Sequence, residues 1–163
     1  MNIETELVLM NILYVCTDNF TRSVIAEFCM KDFLRKKNKA SINVGSAGIR
    51  ANSDISKYSS IHFNIMKDMH IDTSDFKRTQ FDESCFEEND VIIAMSELHR
   101  DYIKEQYNRD VPLFNEVYNG QKTAVNIGAP DSEDFADQMY NLVRYFYEAM
   151  PSIIRILEKR AAL

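Results

Sequence analysis

Ile12-Leu13-Tyr14-Val15-Cys16-Thr17-Asp18-Asn19-Phe20-Thr21-Arg22-Ser23 is an apolar run, a polar turn and the start of a helical pattern in direct succession. Ile12 to Val15 reads as a strand near 11–15. Val24, Ile25, Phe28, Phe33 and Leu34 then recur at helical spacing and predict a helix over 22–38. A loop between a strand and a helix gathers backbone N–H groups and the positive end of the helix dipole around one point, where an anion is held. Cys16 stands at the strand end and Arg22 at the helix start. The dipole and the guanidinium both favour a thiolate over a thiol. Arg22 also offers a planar fork for two oxygens of a phosphoryl group. A thiolate and a guanidinium closing one anion-binding loop suit phosphoester cleavage through a cysteinyl-phosphate.

Outward from this loop, apolar runs alternate with helical patterns, which predicts parallel strands joined by helical crossovers. A second strand is expected near 41–46 and a helix over 54–69 carrying Ile55, Tyr58, Ile61, Ile65 and Met69. Val91-Ile92-Ile93-Ala94-Met95 is a continuous apolar run suited to a strand buried on both faces. A helix over 97–107 follows, with Ser96 as its N-cap. A short fourth strand is expected near 111–114, and a last helix over 133–160 that contains Pro151. The expected fold is α/β: an open four-stranded parallel sheet with helices on both faces and a phosphate-binding loop after strand one. Such sheets bind ligands at the carboxyl ends of their strands. Those ends are Cys16, Ser46-Ala47-Gly48 and Met95-Ser96.

The composition narrows the partners. The net charge of −6 argues against nucleic acid or an anionic membrane surface. No apolar run approaches the roughly 20 residues of a membrane span. Met1 to Met10 carries two glutamates and no lysine or arginine, unlike a secretory signal. Cys16, Cys29 and Cys85 are an odd set without metal-ligand spacing, which fits free thiols in a reducing cytoplasm and predicts no metal. With no repeat or linker, one domain is expected over residues 10–163. Residues 1–9 read as an N-terminal extension with no assigned role.

Cys16-Thr17-Asp18-Asn19-Phe20-Thr21-Arg22-Ser23 followed by Ala26-Glu27 resembles the loop of the low-molecular-weight protein tyrosine phosphatases, Cys-x-Gly-Asn-x-Cys-Arg-Ser before a helix containing Ala-Glu. The resemblance continues in Ser46-Ala47-Gly48, in the strand ending at Met95 and in the final acidic-aromatic helix, over about residues 10 to 160. It implies a cytoplasmic hydrolase that needs no cofactor and acts on a phosphomonoester, phosphotyrosine on a protein first among them, as a monomer or weak homodimer. Cys16 would be the nucleophile and Arg22 the clamp on the phosphoryl oxygens. Thr17, Asp18, Asn19, Phe20, Thr21 and Ser23 would surround the phosphate. Ser23 is similar to the serine that supports the leaving thiolate, and Asn19 and Ser46 to the polar network that holds the loop in shape.

Several positions depart from the pattern. The family's acid is the aspartate of an Asp-Pro pair, and here Ala129 precedes Pro130, with Asp131 one residue beyond. Asp131 is the candidate acid, with a helix N-cap as its alternative role. Asp18 replaces a glycine, adding a negative charge beside the anion site and fitting a positive φ if one is required there. Thr21 replaces a second loop cysteine. Ala51 stands where phosphotyrosine-directed members often carry an aromatic residue, leaving Phe20 as the aromatic of the loop. Members resembling arginine phosphatases carry threonine where Phe20 stands. A second reading is a weak or inactive relative that binds phosphorylated partners or anions without turnover. A third is an arsenate reductase relaying through Cys85. His62, His70 and His99 lack ligand spacing, lie on helical or loop segments and are expected solvated or half-buried.

Overall fold

The computed structural model describes residues 9–53 and 59–161. Apart from Leu9, the expected extension over 1–9 lies outside the described residues, as do Ile55 and Tyr58 of the expected second helix. Strand β1 is Met10–Cys16, helix α1 is Arg22–Lys36 and strand β2 is Ile42–Gly48. Helix α2 (Ile61–Asp68), the short helix α3 (Ser84–Glu88), strand β3 (Val91–Ala94) and helix α4 (Glu97–Tyr107) follow. Helix α5 (Phe114–Asn119) and the long helix α6 (Phe135–Ala161) complete the order. Among the described residues no helix is long and apolar enough to cross a membrane.

The sheet has three parallel strands in the order β2-β1-β3, with Cys16 opposite Gly48 and Val15 opposite Ala94. The expected fourth strand is reduced to one bridge, Ala94 to Leu113. Pro112 supplies its carbonyl to the Ala94 N–H but has no N–H of its own to extend a ladder. The Leu113 N–H is then taken by the Glu116 carboxylate at 3.1 Å, which opens α5 at Phe114.

Alternation along β1 builds a core on both faces of the sheet. Ile12, Tyr14 and Cys16 join the cluster under α1 and α6, with Phe28, Phe114 and Phe146 fully buried among them. Leu13 and Val15 face the other cluster, with Phe81, Cys85, Ile92 and Ile103. Burying each such large side chain contributes about 1.5–3 kcal/mol. Helix α6 runs through Pro151 without a break and keeps Met150, Ile153 and Ile154 in the core.

This topology fixes where a ligand is received. With β2 on one side of β1 and β3 on the other, the chain leaves β1 at the point where the strand order reverses. That point is Cys16, and the crevice outside it is the ligand position of an open parallel sheet.

Candidate functional site

Residues 16–22 turn from β1 into α1 and are held from behind by the extension of β2. Ile49 N–H donates to the Cys16 carbonyl at 3.0 Å and Arg50 N–H to the Thr17 carbonyl at 2.8 Å. Gly48 lies directly against the turn: a Cβ there would stand 2.6 Å from Asn19 N and 2.7 Å from Thr17 O. The positive φ of the loop falls on Asn19, at 53°, and not on Asp18, so the aspartate meets no conformational demand for glycine. Asp18 instead accepts the Phe20 N–H on Oδ1 at 3.3 Å. One N–H of the loop is thereby taken by an internal carboxylate.

Behind the turn runs a buried polar chain. Asn19 Nδ2 donates to Ser23 Oγ at 3.1 Å and to Ser46 Oγ at 2.7 Å, while its Oδ1 accepts the Thr79 N–H at 2.6 Å. Ser46 Oγ donates to Glu27 Oε1 at 2.5 Å, and Glu27 pairs with Lys31 at 2.6 Å. Ser23 Oγ, already an acceptor from Asn19, lies 3.0 Å from Cys16 Sγ, so its own hydrogen is free for the sulfur. Asn19, Ser23 and Ser46 are thereby joined in one buried hydrogen-bonded chain behind the turn. Thr79, Glu27 and Lys31 belong to it too: Glu27 is part of the Ala-Glu pair that follows the loop pattern, whereas nothing near Thr79 or Lys31 in the sequence gives a sign of it.

Two histidines expected solvated or half-buried are fully buried against the loop. His99 Nε2 meets Thr17 Oγ1 at 2.8 Å, and its Nδ1 lies 3.1 Å from Ser96 Oγ. Burial, reinforced by the Arg22 charge, pushes its imidazole down to about 3. His62 Nε2 donates to the Phe20 carbonyl at 2.9 Å. Burial pushes it down to about 4, against the backbone hydrogen bonds of Phe20 and Ser59. Both rings are neutral props. The Ser96–His99 spacing of three, at a helix start, was the one local signal available; for His62 there was none. The half-exposed Phe20 ring stands edge-on to His62, Phe63 and Phe76 at 5.1, 5.6 and 6.2 Å, with the Arg78 guanidinium 5.7 Å above it. The loop's lone aromatic is thus clamped in place.

Arg22 reaches across the crevice, donating from Nη1 to the Val125 carbonyl at 3.0 Å, while Val125 N–H donates to Met95 O at the end of β3. Val125 begins the segment leading to Ala129, Pro130 and Asp131, all three exposed. Ser132 closes onto the Ala129 carbonyl, and helix α6 starts only at Phe135, so Asp131 is not its N-cap. Among the described residues Asp131 bonds to no loop residue. Thr21 is 3% exposed and its Oγ1 has no partner among the described residues. All three cysteines are free and buried; Cys16 and Cys85 belong to the clusters on opposite faces of the sheet.

The family model described as low molecular weight phosphotyrosine protein phosphatase matches residues 11–159. Among solved structures, a YwlE mutant from Bacillus subtilis is 24% identical with a TM-score of 0.76, covering 91% of this chain and 99% of its own. A low molecular weight protein tyrosine phosphatase from T. tengcongensis is 21% identical with a TM-score of 0.76, covering 90% of this chain and 98% of its own. The YwlE arginine phosphatase from Geobacillus stearothermophilus is 19% identical with a TM-score of 0.73, covering 93% of this chain and 94% of its own. At these identities the likeness establishes a common fold. No curated protein matches the chain.

Proposed function

The chain belongs to the low molecular weight phosphotyrosine protein phosphatase family, and we propose that it hydrolyses phosphomonoesters, phosphotyrosine on proteins first among them, through a cysteinyl-phosphate on Cys16. The observation that carries this reading is the Cys16 thiol at the switch point of the sheet, 3.0 Å from a serine hydroxyl whose hydrogen is free to serve the sulfur. In the first step Cys16 Sγ attacks phosphorus, the S–P bond forms and the P–O bond to the leaving group breaks. Arg22 and the loop N–H groups offset the charge on the equatorial oxygens. In the second step water attacks the phosphorus and Ser23 hydrogen-bonds the departing thiolate. Phe20, half-exposed beside the loop, supports an aryl rather than an alkyl or guanidino phosphate. The buried free thiols support a reducing cytoplasmic setting.

Asp131 is the proposed acid and base, because its segment begins at the Val125 carbonyl held by Arg22. The parent is expected to hydrolyse an activated nitrophenyl phosphate near pH 6. Asp131→Asn is expected to lower kcat/KM, which reports the steps up to the cysteinyl-phosphate, by roughly 10²-fold or more on a phosphotyrosyl peptide and by less than about tenfold on the activated ester, which needs little protonation. Equal losses on both substrates, or none, would remove Asp131 from the role. A parent with no turnover on either would remove the enzyme reading altogether.

Asp18 favours a second reading, anion binding with weak turnover, since its carboxylate competes for the Phe20 N–H. Asp18→Asn keeps the acceptor and removes the charge. It is expected to tighten inhibition by inorganic phosphate about tenfold, the size of one nearby charge at partial exposure. Unchanged inhibition would mean that the carboxylate does not face the bound anion.

A further inference from the structure

We propose that Arg50, Lys77 and Arg78 form a cationic rim on one side of the Cys16–Arg22 loop, and that this rim selects phosphorylated proteins carrying acidic residues beside the phosphorylated one. The inference rests on the phosphatase reading and names a substrate class for that site.

Backbone bonds bring the three cations to the loop. Arg50 donates its N–H to the Thr17 carbonyl at 2.8 Å, and its side chain is exposed. The segment carrying Lys77 and Arg78 is pinned by the bond from Thr79 N–H to Asn19 Oδ1 at 2.6 Å. Gly48 N–H donates to the Thr79 carbonyl at 2.9 Å. The Arg78 guanidinium lies over the Phe20 ring, and Lys77 beside it is exposed. Among the described residues none of the three cations forms a salt bridge with a carboxylate.

The rim contrasts in sign with the chain as a whole. With a net charge of −6, the average surface repels an acidic peptide. On the Val125 side, the exposed Asp131, Glu133 and Asp134 are of opposite sign to the rim. A substrate whose acidic residues flank the phosphorylated one therefore gains by laying them on the Arg50–Arg78 side. Such complementarity fixes register and speeds encounter, and fades as salt screens it over about 10 Å at 0.1 M. Within the loop, the Asp18 carboxylate is already engaged with the Phe20 N–H.

The test is equilibrium binding to the parent protein of two fluorescent peptides, each holding phosphonomethyl-phenylalanine as a non-hydrolysable stand-in for phosphotyrosine. One is flanked by glutamates and the other by glutamines. At low salt the glutamate peptide is expected to bind about tenfold tighter, each exposed pair contributing a few-fold. The preference is expected to shrink to about twofold near 0.5 M salt, and to be lost when Arg50→Gln, Lys77→Gln and Arg78→Gln are combined. Arg50→Gln with Lys77→Gln, which spares the contact on Phe20, is expected to lose more than half of it. Equal binding of the two peptides, no binding of either, or a preference that survives salt and neutralisation would overturn the rim. Turnover of an aryl phosphate by the parent, measured in parallel, separates the two proposals. Turnover without preference leaves the phosphatase reading standing alone, and preference without turnover leaves the rim as a recognition surface.

Discussion

Replacing Cys16 by serine is expected to lower turnover of an aryl phosphate by about 10⁴-fold or more, the scale on which enzymes lose rate with their nucleophile. Binding of inorganic phosphate is expected to stay within a few-fold of the parent. The two outcomes separate because the groups that hold an anion differ from the atom that attacks it. The loop amides, Arg22 and the start of α1 remain, and serine fits the space of the cysteine. Only the sulfur nucleophile is lost, and the histidine nearest the loop is no base for a serine hydroxyl: the Thr17-bound His99 is pushed down to about 3 by burial and the Arg22 charge, and its Nε2 is occupied. The check is steady-state hydrolysis near pH 6 together with phosphate titration by calorimetry. A serine variant as fast as the parent would place the nucleophile elsewhere.

Gly48→Ala is expected to cripple the site from behind, lowering kcat/KM by about 10²-fold, which is the scale of an ångström's misplacement of reacting groups. The added Cβ would meet Asn19 N at 2.6 Å, Thr17 O at 2.7 Å and Asp18 C at 2.8 Å. All three are backbone atoms of the loop, so relief by side-chain rotation is impossible and the turn itself must move. Moving it strains the Asn19 bonds to Ser23, Ser46 and Thr79. The expected cost in stability is about 1–3 kcal/mol, typical of overpacking. Thermal unfolding and aryl phosphate kinetics check both parts. An alanine variant with parental kinetics would mean that the loop tolerates displacement.

The parts of this molecule that were legible in the sequence are those written in local periodicity. The run before Cys16, the helix after Arg22 and the buried strand Val91–Ala94 follow from apolar spacing. So does the helix Glu97–Tyr107. The fourth strand failed because Val111-Pro112-Leu113-Phe114 is apolar enough for a strand. Pro112 withholds a donor there, and Glu116 captures another for helix α5. Within the candidate site, Cys16, Asn19, Ser23 and Ser46, singled out by their pattern, are joined by hydrogen bonds. The props did not announce themselves: His62 and Thr79 reach Phe20 and Asn19 across 42 and 60 residues of chain, and no short-range spacing encodes such contacts. Ser46 was legible through its Ser-Ala-Gly setting, whereas its acceptor Glu27 stood only as part of the Ala-Glu pair after the loop, with no role attached.

Two neutral imidazoles back the loop, and this fixes how acidity reaches the chemistry. His62 titrates near 4 and His99 near 3, so neither changes charge between pH 5 and 8, where histidine ordinarily acts as a switch. The site is thus buffered against its own histidines. Any limb of a rate profile in that interval therefore arises outside these two rings, and the second ionisation of the phosphate itself reaches the chemistry without an imidazole intermediary.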